Sequence, residues 1–149
     1  MTPRVVWKLL SLAFLGLAVG IPAQEAGAFK VVVNTANPTT EMPRSIVSKM
    51  FLKKVSRWTD WDNTAVVAVD QLEKSPVREA FSDTVHKKSV SAIKSYWQRM
   101  IFSGRDAPPR EVVTDAEVLG LVRGEPGAIG YVSDAAELGD GVKELQVTE

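Results

Sequence analysis

The sequence predicts an α/β domain, a mixed sheet flanked by helices, behind an N-terminal segment that is not part of the fold. Short β-branched runs alternate with stretches whose apolar residues recur at helical spacing, the pattern of a sheet with helices on its faces. Prolines, glycines and capping residues fall at the joints between these runs. A length of 149 residues, with 45% apolar and 24% charged, fits one globular domain and not two.

The N-terminal segment has the layout of a secretory signal peptide. Arg4 and Lys8 precede an uncharged apolar run, Leu9 to Ile21, and Ala26-Gly27-Ala28 offers an A-x-A cleavage site before Phe29. The run is shorter than the roughly 20 residues a spanning helix needs. Residues 1–28 are therefore expected to direct export to the periplasm. Residues 29–149 should form the mature domain, with no stable membrane insertion after cleavage.

Phe29–Asn34 reads as a buried strand and Asn37-Pro38-Thr39-Thr40 as a turn. Pro43 opens a helix with Ile46, Val47, Met50 and Phe51 on one face. A loop carrying Trp58 and Trp61 leads to a second strand, Ala65 to Val69, which ends at Asp70. Ser75-Pro76 starts the next helix, with Val77, Ala80, Phe81 and Val85 on its face. Ser89 caps another, with Val90, Ile93, Trp97, Met100 and Ile101 inward and Gly104 at its end. Glu111–Val113 suggests a short strand, and Thr114-Asp115-Ala116-Glu117 is a capping box that starts a helix over Val118, Leu119 and Val122. Ala128–Val132 is a third clear strand, and Val142–Val147 reads as an edge strand. Val31–Val33, Val66–Val69 and Ile129–Val132 are expected at the sheet centre, with Phe51, Phe81, Trp97 and Ile101 buried.

Composition excludes several functions. Lys+Arg and Asp+Glu are both 18, so the chain lacks the basic excess of a nucleic-acid wrapper. With no cysteine there is no disulfide, thiolate metal site or cysteine nucleophile. The single histidine, His86, cannot build a His-rich metal site and reads as a surface side chain. Asp70, Ser75 and His86 have the residue types of a triad but no G-x-S-x-G elbow. Asp60, Asp62 and Asn63 lack the rest of an EF-hand loop. No enzymatic activity, cofactor or metal is expected. Lys87-Lys88 reads as a solvated charge pair.

Ligands of open α/β sheets bind beyond the carboxyl ends of strands, beside helix N-termini. Two segments qualify, Asn34-Thr35-Ala36-Asn37 after the first strand and Asp70 through Arg78 after the second. Free amides and the helix dipole at Ser75 suit an anion. Arg78 stands where a capping box would place Glu, a position the dipole disfavours for a cation by about 0.3–1 kcal/mol. A bound oxyanion would reverse that cost; pairing with Asp70, Glu73 or Glu79 would also explain it. The expected ligand set is the Ser75 hydroxyl, the Val77 and Arg78 amides, the Arg78 guanidinium, and Asn34 and Thr35 from the other strand end. Asp70 would take the proton that a singly protonated phosphate offers and sulfate does not. On this reading Arg78→Ala weakens binding and leaves stability nearly unchanged.

Val33-Asn34 with Asn37-Pro38, Met50-Phe51-Leu52 with Lys54, and Trp58 form an ordered series. Ser75-Pro76-Val77-Arg78-Glu79-Ala80-Phe81, Tyr96-Trp97, Phe102-Ser103-Gly104, Pro108-Pro109 and Pro126-Gly127-Ala128-Ile129-Gly130-Tyr131-Val132 continue it. The series resembles the phosphate-type periplasmic solute-binding proteins, and the last run is its most specific part. The resemblance implies a type 2 periplasmic-binding-protein fold, in which two lobes close on an anion held by helix N-termini. The chain has length for one lobe, as in the short single-lobe members. Lys53 replaces the family glycine, and Pro76-Val77 replaces the Gly-Thr that supplies amide and hydroxyl donors. Two functions follow as expectations. One is a periplasmic module that binds inorganic phosphate or a similar oxyanion beside the membrane subunits of an ABC importer. The other is an interaction or scaffold module that keeps the half-fold without a tight ligand site. An open Ser75 helix start facing the Asn34–Asn37 loop favours the first; one plugged by side chains favours the second.

Overall fold

The computed structural model describes residues 28–149; the expected signal peptide lies outside them but for Ala28. The elements run β1 (Phe29–Asn34), β2 (Glu41–Pro43), α1 (Arg44–Phe51), β3 (Val67–Gln71), α2 (Pro76–Phe81) with a π-helical turn (Ser82–His86), α3 (Val90–Phe102), β4 (Arg110–Val112), α4 (Asp115–Gly124), β5 (Ala128–Ser133) and β6 (Val142–Thr148). They form a mixed α/β fold around one sheet of order β2-β6-β1-β5-β3-β4. β1 runs antiparallel to both of its neighbours, and every other pairing is parallel.

The alternation of side chains in β1 divides the core in two. Val31 and Val33 face a cluster with Phe51, Phe81, Ile129, Tyr131 and Leu145, under α1 and α2. Val32 faces the opposite cluster with Val118, Val122, Val132 and Val142, under α4. The glycine run enters β5 where the backbone is crowded. A Cβ on Gly127 would lie 2.1 Å from the Ala65 carbonyl oxygen, and one on Gly130 would lie 2.6 Å from the Val118 side chain. The Trp58 indole donates to the Gly127 carbonyl at 2.9 Å, which ties the long loop to the same spot.

Three expectations are corrected. β6 lies inside the sheet because β2, too short to carry a periodic signal, pairs beyond it. Ile101 is 54% exposed. α3 packs through Ile93 and Trp97 against Leu52, in a cluster apart from the sheet faces, so its last turn has nothing to bury against. His86 is buried and not on the surface. The π turn gives the helix one wide turn, which rotates the imidazole inward against the rings of Phe51 and Phe81. Among the described residues no helix is long and apolar enough to cross a membrane.

Candidate functional site

The carboxyl ends of β3, β4 and β5 meet the N-termini of α2 and α4 along one edge of the sheet. Both helix starts form as their sequences require. Ser75 caps α2, its hydroxyl accepting from the Arg78 amide at 3.4 Å, and Pro76 follows in the first turn. Thr114 caps α4 in a reciprocal capping box with Glu117.

Buried polar side chains fill the crevice between these helix starts. Arg78 is 5% exposed. Its guanidinium donates to the Gln71 carbonyl at 2.5 Å, pairs with Glu111 at 2.6 Å and with Asp70 at 3.4 Å. Asp70 also accepts from the Tyr131 hydroxyl and from the Gln71 amide. The Gln71 side chain donates to Asp115 at 3.0 Å and to the Tyr131 carbonyl at 3.0 Å, while its oxygen accepts from the Ser75 hydroxyl at 2.8 Å. Asp115 in turn accepts from the Ser133 amide and hydroxyl.

Burial pushes the Asp70 carboxyl above its usual range, and Arg78, Tyr131 and Gln71 offset this only in part. Burial also opposes the charge of Arg78, but Asp70 and Glu111 outweigh it and hold the guanidinium protonated. The Tyr131 hydroxyl, desolvated and beside Asp70, is raised and stays a donor. One guanidinium thus faces two carboxylates. An incoming oxyanion would meet net negative charge, with the Ser75 hydroxyl, the Arg78 amide and the Arg78 guanidinium already paired.

A cleft of about 350 Å³ lies elsewhere, along α3. Beside Arg78 is a smaller one of about 200 Å³, walled by Trp97, Ile101 and Pro108. The charges at the rim of the smaller cleft are mutually paired, Lys94 with Glu73 at 3.1 Å and Arg78 with Glu111.

Of the expected ligand residues, the structure gathers Asp70, Ser75, Val77 and Arg78 and separates Asn34 and Thr35 from them. The reversed direction of β1 carries Asn34 to the opposite edge of the sheet, beside the start of β6. There its side-chain amide donates to the Val122 and Arg123 carbonyls at the end of α4, and its oxygen accepts from Ala36. Thr35 donates its backbone N–H to the Gly141 carbonyl on that edge. The expectation that Arg78 contributes little to stability is also corrected, because its side chain is a buried hub. Gln71, Glu111, Asp115 and Tyr131 were not anticipated. The i, i+4 spacing of Gln71 and Ser75 was the one local signal; the others come from distant elements, β4, α4 and β5.

His86 lies behind this network, bonded through Nδ1 to the Ser48 hydroxyl at 2.8 Å. Burial, and then the charge of Arg78, lowers its pKa to about 4. The unfolded chain therefore binds the proton more readily, so stability falls as pH drops from about 6.5 to about 4, by roughly 3 kcal/mol in all. Urea unfolding of the wild type and His86→Gln across that range checks this. The stability difference between them should shrink toward low pH; a constant difference would place His86 in water.

Solved structures share this architecture. A phosphate transport receptor of the ABC type from Vibrio cholerae is similar, with a TM-score of 0.63 and 20% identity over 80% of this chain and 46% of that one. A Clostridium perfringens protein assigned as a phosphate ABC transporter substrate-binding protein, solved with phosphate bound, gives 0.63 and 19% over 80% and 44%. PstS from Borrelia burgdorferi gives 0.55 and 16% over 82% and 47%. The fold is half of a periplasmic-binding-protein-like fold. The chain spans less than half the length of these neighbours, which are binding proteins. No protein-family model matches it, and neither does any curated protein.

Proposed function

We propose that this chain is an exported interaction module that keeps the half-fold of a solute-binding protein without a working phosphate site. The observation that carries this reading is the fate of Arg78. Its guanidinium is buried against Asp70, Glu111 and the Gln71 carbonyl, so the cation in the first turn of α2 is already neutralised. The Ser75 start is plugged by the Gln71 side chain and does not face the Asn34 loop. Pro76 removes an amide donor and Val77 carries no hydroxyl. The signal-peptide layout read from residues 1–28 supports the exported, periplasmic part of this reading.

A second reading, weak oxyanion binding beside an ABC importer, is favoured by the capped helix at a strand end and by the phosphate-binding neighbours. Calorimetric titration of the purified protein with inorganic phosphate and sulfate separates the two. The interaction reading expects no heat of binding at millimolar anion. Phosphate binding that Ser75→Ala abolishes while the fold survives would replace it with the transport reading.

A further inference from the structure

One face of α3 is unlike the rest of the surface. A groove of about 350 Å³ runs between this helix and the loop after α1, lined by Leu52, Lys54, Lys88, Ile93, Tyr96 and Arg99, with no carboxylate in its walls. It adjoins a second depression that shares Tyr96 and Arg99 and adds Met100 and Arg105. Among the described residues none of Lys54, Lys88, Arg99 and Arg105 has a salt-bridge partner, whereas neighbouring Lys53 and Lys94 pair with Asp106 and Glu73.

The groove is braced, not improvised from floppy chains. The Tyr96 hydroxyl donates to the Leu52 carbonyl at 3.0 Å, and the Lys54 ammonium sits 5.4 Å from the centre of the Tyr96 ring. The buried Ser82 hydroxyl donates to the Lys88 carbonyl at 2.7 Å, and the Lys88 amide donates to the Ser82 carbonyl, which fixes the loop that presents Lys88. Lys87 takes a left-handed conformation to make that turn.

We propose that this groove binds an acidic segment of a partner protein, carboxylates on the cations and an apolar side chain on Leu52, Ile93 and Tyr96. This inference rests on the interaction-module reading and names its surface. Charge complementarity selects the partner, since several unpaired cations around an apolar floor remain uncompensated in the isolated chain. The two depressions follow α3, whose 13 residues span about 20 Å, a length that suits an extended peptide better than a small ion. The cations line a concavity, which a flat bilayer cannot fill.

The test is fluorescence anisotropy of the purified protein with a fluorescein-labelled peptide of glutamates interspersed with leucines, and with its lysine counterpart. The acidic peptide binds, more weakly as salt rises, and the lysine peptide does not. Arg99→Glu and Lys88→Glu each weaken binding about tenfold, while Lys74→Glu, a cation outside the groove, leaves it unchanged. Thermal melts confirm that each variant is folded. Equal losses for the three variants, or no binding of the acidic peptide, overturn the proposal. So does binding to phosphatidylglycerol vesicles or inorganic phosphate that Arg99→Glu abolishes when the peptide does not bind. A silent peptide titration with a silent phosphate titration removes the groove and leaves the module reading; phosphate binding lost in Ser75→Ala removes the module reading itself.

Discussion

Arg78→Met should destabilise the fold by about 3–5 kcal/mol, although the new side chain is of similar length and apolar. The loss comes from what remains. Asp70 is buried and keeps a carboxylate whose main counter-charge has gone. The Gln71 carbonyl also loses its donor. Adding Asp70→Asn to Arg78→Met should recover a substantial part of the loss, because the stranded charge is then removed. Glu111→Gln should cost less than Arg78→Met, since the Glu111 carboxylate is partly in water. Urea unfolding of the three variants measures all of this. A change below about 1 kcal/mol for Arg78→Met would mean that Arg78 is not the hub of a buried network.

Phe81→Ala should cost a similar amount, about 3–5 kcal/mol, for a different reason. The Phe81 ring stacks on Tyr131 with centroids 4.0 Å apart and meets Phe51 at 4.7 Å and Phe29 at 5.5 Å. Removing it opens a cavity between α2 and the sheet that neighbouring rings, each held by its own contacts, cannot collapse to fill. The stack also supports Tyr131, whose hydroxyl donates to Asp70. Phe81 and Arg78 are thus close enough to couple through Tyr131. Their combined loss should depart from the sum of the two single losses, which a double-mutant cycle by urea unfolding reads directly.

The helix starts were legible because caps are local. Ser75, Ser89 and Thr114 each accept from a backbone amide three residues on, and the side chain and its partner lie within one turn of sequence. The Pro126–Val132 run was legible only through its family resemblance, for the crowding at Gly127 and Gly130 comes from Ala65 and Val118, far off in the chain. The short edge strand β2 was not legible, because three residues carry no periodicity and their pairing with β6 spans most of the chain. The π turn was not legible because one widened turn carries no local sequence signal, yet it is what turns His86 inward.

By itself, the sequence determined the α/β class and the helix starts, consequences of interactions between near neighbours in the chain. Tertiary structure alone decided which ends of the strands come together. The sense of β1 sends Asn34 and Thr35 to one edge of the sheet and leaves Ser75 and Arg78 at the other. It also decided the partners of Arg78, for Glu111 arrives from a strand on the far side of α3. A cation at a helix start has the same local sequence whether it awaits an anion or is already neutralised. The difference rests on long-range contacts, and here Asp70 and Glu111 close the guanidinium off.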